Sequence, residues 1–223
     1  MLRKKSIAVV GILALAIACM QNEQDKIIRV QEEEQTSFDV SKFTGNINRD
    51  GRMIVEEVSE AFAGFLGKSI AEHGVLGSIG FCNENAFPFM DSLAHYYGVN
   101  LKRTALRYRN PDNKPDTLDR IMLENMEKEA AQGAEPGPKS IKFSSGESVY
   151  YSPIIMKPLC LQCHGIKMRG DIQDEVWAKI RELYPEDVAY DFNLNELRGA
   201  WGVLFPNEYR ARRGKPDPIA IPK

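Results

Sequence analysis

The sequence predicts a mixed α+β domain built on an antiparallel sheet. Two observations carry that expectation. Helical and strand-like segments follow one another as helix, helix, strand, helix, two strands, helix, strand. The strands adjoin through short turns instead of regular helical crossovers, which disfavours a parallel sheet. A hydrophobic fraction of 43% in 223 residues supplies one sizeable core with extensions at its ends.

The first helix is read from Arg52 onward. Ile54, Val58, Ala61, Phe62 and Phe65 recur at steps of three and four, the spacing of one apolar helix face. Gly74, Gly77 and Gly80 then loosen the pattern up to Cys82. Pro88 suits the first turn of a second helix through Met90, Leu93, Ala94 and Tyr97, stopped at Gly98. Alternation over residues 99–108 reads as a strand. Arg109-Asn110-Pro111-Asp112-Asn113-Lys114-Pro115 is too rich in proline and asparagine for regular structure. Thr117 is a plausible N-cap for a helix through Ile121, Met122, Met126 and Ala130, ended near Gly133. Residues 140–144 and 147–156 form a hairpin pattern around Ser145-Gly146. Residues 172–183 read as a helix ended by Pro185, and residues 200–205 as a closing apolar strand. The tail from Gly214, with Pro216, Pro218 and Pro222, reads as extended. No internal repeat is visible.

The N-terminus reads as an address. Met1-Leu2-Arg3-Lys4-Lys5-Ser6 precedes an apolar run over residues 7–18, the pattern of a secretory signal. The run is too short to span a bilayer as a mature helix. Ala16-Ile17-Ala18-Cys19 resembles the lipobox of bacterial lipoproteins, with Ala16 where leucine is usual. That resemblance implies cleavage before Cys19 and lipid on its thiol and amine. Residues 19–48 are polar and patternless and read as a flexible tether, leaving residues 49–223 as the domain. The expected location is the periplasmic side of a bacterial membrane, lipid-anchored, with the outer membrane as the expected one. A net charge of −2, with no basic patch interleaved with aromatics, excludes a nucleic-acid partner.

The chemistry concentrates in the cysteines, of which there are four: Cys19, Cys82, Cys160 and Cys163. Cys160-Leu161-Gln162-Cys163-His164 is the CxxCH spacing of covalent haem attachment. Its thiols can add to the two haem vinyl groups while the histidine meets the iron. A zinc site would want two further ligands, and no second CxxC or HxxxH occurs. A thioredoxin-like CxxC would want a βαβ setting and no use for His164. One covalent haem c is therefore expected. For the second axial position the sulfur and imidazole candidates are Cys82, Met90, His73, His95, Met156 and Met168. Cysteine arithmetic favours Cys82, which alone has no other assigned chemistry. A thiolate there would lower the iron potential and a methionine raise it. Arg107, Arg109 and Asn110 form a cationic, amide-rich loop that could hold the haem propionates. The competing reading is that Asn110 and Asn113 build the turn and the arginines are solvated.

Several motifs in one order give a resemblance. Cys82 near the end of a helical region is followed by Arg103-Thr104-Ala105-Leu106-Arg107-Tyr108-Arg109-Asn110-Pro111-Asp112-Asn113-Lys114-Pro115. Then come Tyr151-Ser152-Pro153-Ile154, the CxxCH with Gly165, Tyr184-Pro185-Glu186-Asp187-Val188-Ala189 and Arg198-Gly199-Ala200-Trp201. Over about residues 50–206 this resembles single-haem c-type cytochrome domains with a PAS-like fold, found as exported proteins and as sensor ends of signalling proteins. The resemblance implies an antiparallel sheet flanked by helices with haem held against it. It also implies His164 and Cys82 as the two axial ligands. Between Asp187 and Arg198 such domains commonly carry a glycine-bearing loop, whereas residues 190–197 hold no glycine.

Two protein ligands leave no open iron site, so electron transfer or redox sensing is expected rather than catalysis. The alternatives are a gas or small-ligand sensor whose Cys82 ligand is displaceable, and a peroxidase-like enzyme using His73 or His95. A separate redox or signalling protein is the expected partner.

Overall fold

The computed structural model describes residues 46–207 and Tyr209. The secretory signal, Cys19, nearly all of the expected tether and the tail from Gly214 lie outside the described residues. Asn46 opens the first helix, α1 (Ile47–Tyr97), by accepting from the N–H groups of Asn48 and Arg49, each at 3.1 Å. A short amide side chain in this role satisfies orphan helix donors. The helix thus begins two residues ahead of the expected domain start.

Where three glycines suggested a loosened stretch between two helices, one suffices. Gly74 takes φ 68° and ψ 175°, a region essentially reserved for glycine. Gly77 and Gly80 stay helical, Cys82 lies on the helix, and Pro88 lies inside it instead of opening a new one. The break folds the chain back on itself. Phe65 stacks on Phe89 with centroids 4.7 Å apart, and the Tyr97 hydroxyl donates to Glu57 at 2.9 Å. A straight helix would separate that last pair by about 60 Å. Gly98, in the left-handed conformation, ends α1.

The sheet has the order β1-β4-β3-β2, with β1 (Asn100–Thr104), β2 (Lys139–Lys142), β3 (Ser148–Ile155) and β4 (Leu197–Phe205). Every neighbouring pair is antiparallel. Strand β1 is shorter than its alternation suggested. The Ala105 N–H turns away to the Asn113 carbonyl (3.3 Å), toward the 3₁₀ turn Pro111–Asn113. Strand β4 starts earlier than its apolar run, at Leu197. The β2–β3 hairpin turns at Gly146, with φ 97°.

Both faces of the sheet are covered. Helix α2 (Thr117–Ala131) packs Leu123 and Met126 against Val149, Tyr151 and Ala200. Its N-cap is Asp116, one residue before the expected Thr117, because Asp116 and Asp119 satisfy each other's backbone N–H. On the other face α1 comes so close at Gly51 that a Cβ there would enter the Tyr150 ring. Helix α4 (Asp174–Leu183) packs Val176 and Ile180, with Ile172 ahead of it, onto Ile79 in the second arm of α1. The result is the α+β architecture that the order of elements predicts.

Candidate cofactor site

Helix α3 (Pro158–His164) carries the whole CxxCH motif in under two turns. Pro158 at its first turn lacks an N–H that would otherwise go unpaired. The Lys157 N–H donates to the Cys160 sulfur at 3.4 Å. Cys160 and Cys163, three residues apart, share one side of the helix. Neither is in a disulfide, and both are half-buried. Gly165 ends the motif in a space without room for a side chain: a Cβ would sit 2.6 Å from the Leu161 carbonyl and 2.6 Å from the Asp171 Cβ.

A loop over residues 187–196 clasps the end of this helix. The Asp191 N–H donates to the Gly165 carbonyl (2.9 Å) and the Phe192 N–H to the His164 carbonyl (3.0 Å). Asp191 (φ 58°) and Asn195 (φ 64°) take the left-handed conformation, which Asp and Asn tolerate better than most residues. They stand in for the absent glycine. His164 Nδ1 lies 2.6 Å from the Ala189 carbonyl. A carbonyl only accepts, so Nδ1 carries the proton and Nε2 is left with a free lone pair. Burial, with Arg109, Arg198 and Arg103 nearby, holds the His164 pKa well below its ordinary value. The imidazole is therefore neutral, the form that binds metal.

Arg109 ties this assembly together. One guanidinium nitrogen donates to the Cys163 carbonyl (2.6 Å), Asp187 (3.3 Å) and the Ala189 carbonyl (3.3 Å). Asp187 is fully buried and also accepts from the Ala189 N–H at 2.8 Å. Arg107 pairs with Glu196 at 3.0 Å and lies 3.6 Å over the Phe192 ring. The Asn110 side chain accepts from the Asp112 N–H and caps the 3₁₀ turn. Of the three residues read as propionate holders, two are engaged by protein acceptors and the third builds the turn.

Two further arginines stand in the same group, and sequence reading gave neither a role. Arg198 donates to the Arg107 carbonyl at 2.8 Å and lies 5.3 Å from the Phe192 ring centre. Arg103 lies 4.2 Å over Phe62 and 5.9 Å from Trp201. The signal was available, since both belong to the quoted motifs, but their spacing in sequence does not announce a shared site.

Cys82 meets this group from the second arm of α1. It is half-buried. Burial pushes its thiol pKa up, the neighbouring Cys163 adds to the rise and Arg103 opposes it. Cys163 in turn packs against the cluster that contains Val75 and Ile79 of the same arm. The other axial candidates are placed differently. Met90 is 5% exposed in the core, whereas Met168 is 95% exposed. Met156, fully buried, packs with Ala189 and Phe192 beneath Cys160 and Leu161. His73 and His95 are exposed, and His73 stacks on Phe81. Among the described residues, no group of three or more His, Cys, Asp and Glu side chains converges as a metal-ion site.

Fold and site together define an α+β domain whose CxxCH helix, neutral histidine and arginine cluster face a thiol delivered by a folded-back helix. The chain belongs to the Tll0287-like family, whose model matches residues 16–206. Among solved structures the chain is similar to the crystal structure of the cyanobacterial heme-protein Tll0287. The identity is 28% over 54% of this chain and 69% of that one, with a TM-score of 0.45. Comparison with curated proteins finds no match.

Proposed function

We propose that this chain is an exported c-type haem protein with a PAS-like domain that carries or senses electrons. One haem would be bound through Cys160 and Cys163, with His164 Nε2 and the Cys82 thiolate as axial ligands. The carrying observation is the fold of α1 at Gly74, which brings Cys82 into the electrostatic reach of Cys163. Membership of a family named after a heme-protein supports the same reading.

The residues present fit the group. His164 has its Nδ1 proton committed to Ala189 and its Nε2 free, the orientation that an outer hydrogen bond gives a ligating histidine. The Nε of Arg109 is buried without a hydrogen-bond partner, next to the motif it braces. Haem, when bound, supplies a one-electron iron couple. The protein's part is to hold both ligands, shield them from water and fix their charge. Ligation would keep the Cys82 thiol deprotonated despite burial, and thiolate donation would lower the potential. With His164 and Cys82 both committed to holding the iron, no site would be left for substrate turnover, and a separate redox or signalling partner would exchange the electron. Cys19, lipidated, would anchor the chain at the periplasmic face of a bacterial outer membrane; incorporation of a labelled lipid precursor, abolished in Cys19→Ala, tests this.

Absorption spectra of the purified wild type and Cys82→Ala, in both oxidation states and with carbon monoxide, test the haem reading. A Soret band, spectra inert to carbon monoxide in the wild type, and carbon monoxide binding by reduced Cys82→Ala are expected. A purified holoprotein without a Soret band overturns the reading. Carbon monoxide binding by the reduced wild type would instead assign Cys82 as a displaceable ligand and the protein as a gas or small-ligand sensor.

A further inference from the structure

The acceptor that His164 uses is shared. His164 Nδ1 lies 2.6 Å from the Ala189 carbonyl, and Arg109 Nη2 reaches the same oxygen at 3.3 Å. That nitrogen also donates to the Cys163 carbonyl at 2.6 Å, one residue before the histidine. Helix α3 ends at His164, so the Cys163 carbonyl is one of the orphan acceptors of a helix end. Asp187 completes the group. Its carboxylate accepts from Arg109 Nη2 at 3.3 Å and from the Ala189 N–H at 2.8 Å. Ala189 is thus held on both sides, by Asp187 at its N–H and by Arg109 and His164 at its carbonyl.

These bonds lie away from water. Ala189 is buried, the Asp187 side chain is fully buried and that of Arg109 is 14% exposed. In such surroundings a hydrogen bond is electrostatically stronger than in water. A carbonyl oxygen has two lone pairs and can accept from both donors. A cationic donor, however, draws electron density that the neutral ring N–H would otherwise meet. The Nδ1–H bond then polarises the imidazole less, and Nε2 gains less of the basicity that an outer acceptor gives a ligating histidine. Arg109 Nη2 carries two protons for three acceptors, so at least one proton is shared.

We infer that Arg109 sets the donor strength of His164 through the shared Ala189 carbonyl, and that Asp187 holds the guanidinium in place for it. The inference rests on the haem reading above. Both are positioning residues, acting on the iron only through Ala189 and the imidazole. A carbonyl relieved of Arg109 would pull the Nδ1 proton harder, push His164 toward imidazolate character and favour ferric iron. With Arg109 present the histidine stays a plain imidazole, which moderates the low potential that a Cys82 thiolate would impose. Arg109 and Asp187 carry opposite charges, so removing them together separates this hydrogen-bond effect from a change of net charge.

The test compares the haem-loaded full chain with the double variant Arg109→Met/Asp187→Asn, both carrying 15N-labelled histidine, with haem content checked by mass. The double variant keeps the net charge, and its new amide can still accept from the Ala189 N–H. Replacing a buried ion pair by neutral groups of similar volume is often tolerated. In the reduced, low-spin protein the His164 Nδ1 proton resonance is expected to move downfield in the variant. The oxidised-to-reduced ratio at fixed poise is expected to rise about threefold, a fall of roughly 28 mV for a one-electron couple. A haem-loaded variant with an unmoved Nδ1 proton, or with an unchanged ratio, overturns the inference and leaves Arg109 a brace for the motif helix. Where the double variant does not fold, the wild type decides. Two protons bound to one oxygen lie within about 4 Å of each other, so cross-relaxation between the Arg109 guanidinium protons and the His164 Nδ1 proton is expected, and its absence overturns the shared acceptor. A wild type without haem overturns the functional reading itself, a result separable from these.

Discussion

The same substitution, Gly→Ala, should have opposite signs at two positions of one helix. At Gly74 the backbone holds φ 68° and ψ 175°. Nothing lies within 4 Å of where a Cβ would stand, so any cost of Gly74→Ala comes from the backbone alone. Non-glycine residues forced into that region are strained by about 1–3 kcal/mol. Gly64 is also open around its Cβ position, but it is helical and exposed. Alanine there reduces unfolded-state freedom and raises helix propensity, a gain of about 0.5–1 kcal/mol. The two variants should differ by about 1.5–4 kcal/mol, at least a tenfold difference in the unfolding constant. Urea unfolding followed by far-UV circular dichroism measures it, with the midpoint of Gly74→Ala below wild type and that of Gly64→Ala above. The position of Gly74 makes the number matter. A straight helix of 51 residues would run about 76 Å and carry Cys82 away from the motif. A Gly74→Ala protein as stable as wild type would refute the argument that this glycine makes the fold-back possible.

Other perturbations follow from the same contacts. Asp187→Ala removes the only carboxylate on Arg109 among the described residues, together with an acceptor for the Ala189 N–H. Breaking a buried pair from one side costs about 3–5 kcal/mol, read as a lower urea midpoint. Tyr151→Phe deletes a 2.6 Å hydrogen bond to buried Asp119. It should cost about 1.5–3 kcal/mol, the range for bonds to a charged group, and a calorimetric scan with an unchanged melting temperature would contradict it. The third concerns acid. Arg169 and the Ile166 N–H hold the Asp171 carboxyl below its ordinary value of 3.8. A depressed carboxylate contributes stability above that value and loses it as the pH falls through the lowered one. Amide protection in the turn Lys167–Arg169 should therefore weaken below about pH 3.8, and less so in Asp171→Asn.

Much of this was legible in the sequence because local rules and tertiary packing agree. The hairpin at Ser145-Gly146, the stop at Gly98 and helix α4 stand close to where turn chemistry and periodicity put them. The disagreements arise where tertiary contacts override a local signal. Gly77, Gly80 and Pro88 each weaken a helix, yet Phe65, tilted against Phe81 and stacked on Phe89, holds the second arm helical through all three. Alternation beyond Thr104 suggested more strand, but the ladder to β4 ends opposite Ala200. A Cβ at Gly199, the next position, would press on the Thr104 carbonyl, and the chain turns off there. In the site, the motif residues were readable because covalent chemistry demands a fixed spacing. The place of Arg103 was not, because it depends on strand register, which sets it beside Trp201, 98 positions away.

That distinction bears on how the site holds together. Its parts come from four separated stretches: α1 at Cys82, the β1 end at Arg103 and Arg109, the motif helix, and the loop before β4. Arg109 bonds to the motif at Cys163 and to the loop at Asp187 and Ala189, and His164 bonds to the same loop. These three stretches are thus cross-linked by hydrogen bonds with no cofactor involved. Cys82 is different: α1 reaches the group through apolar packing on α4 and the motif, as Val75 and Ile79 meet Cys163 and Ile180. Apolar contacts are less directional than hydrogen bonds, so the arm bearing Cys82 is the part of the site least fixed in position. If haem joins Cys82 to His164, the iron supplies the directional bond this arm lacks, and loss of the Cys–iron bond would loosen α1 selectively. Hydrogen exchange in residues 75–97 of Cys82→Ala should then rise while that of the motif helix and loop holds. Equal loosening of all four stretches would show that the site opens as one unit.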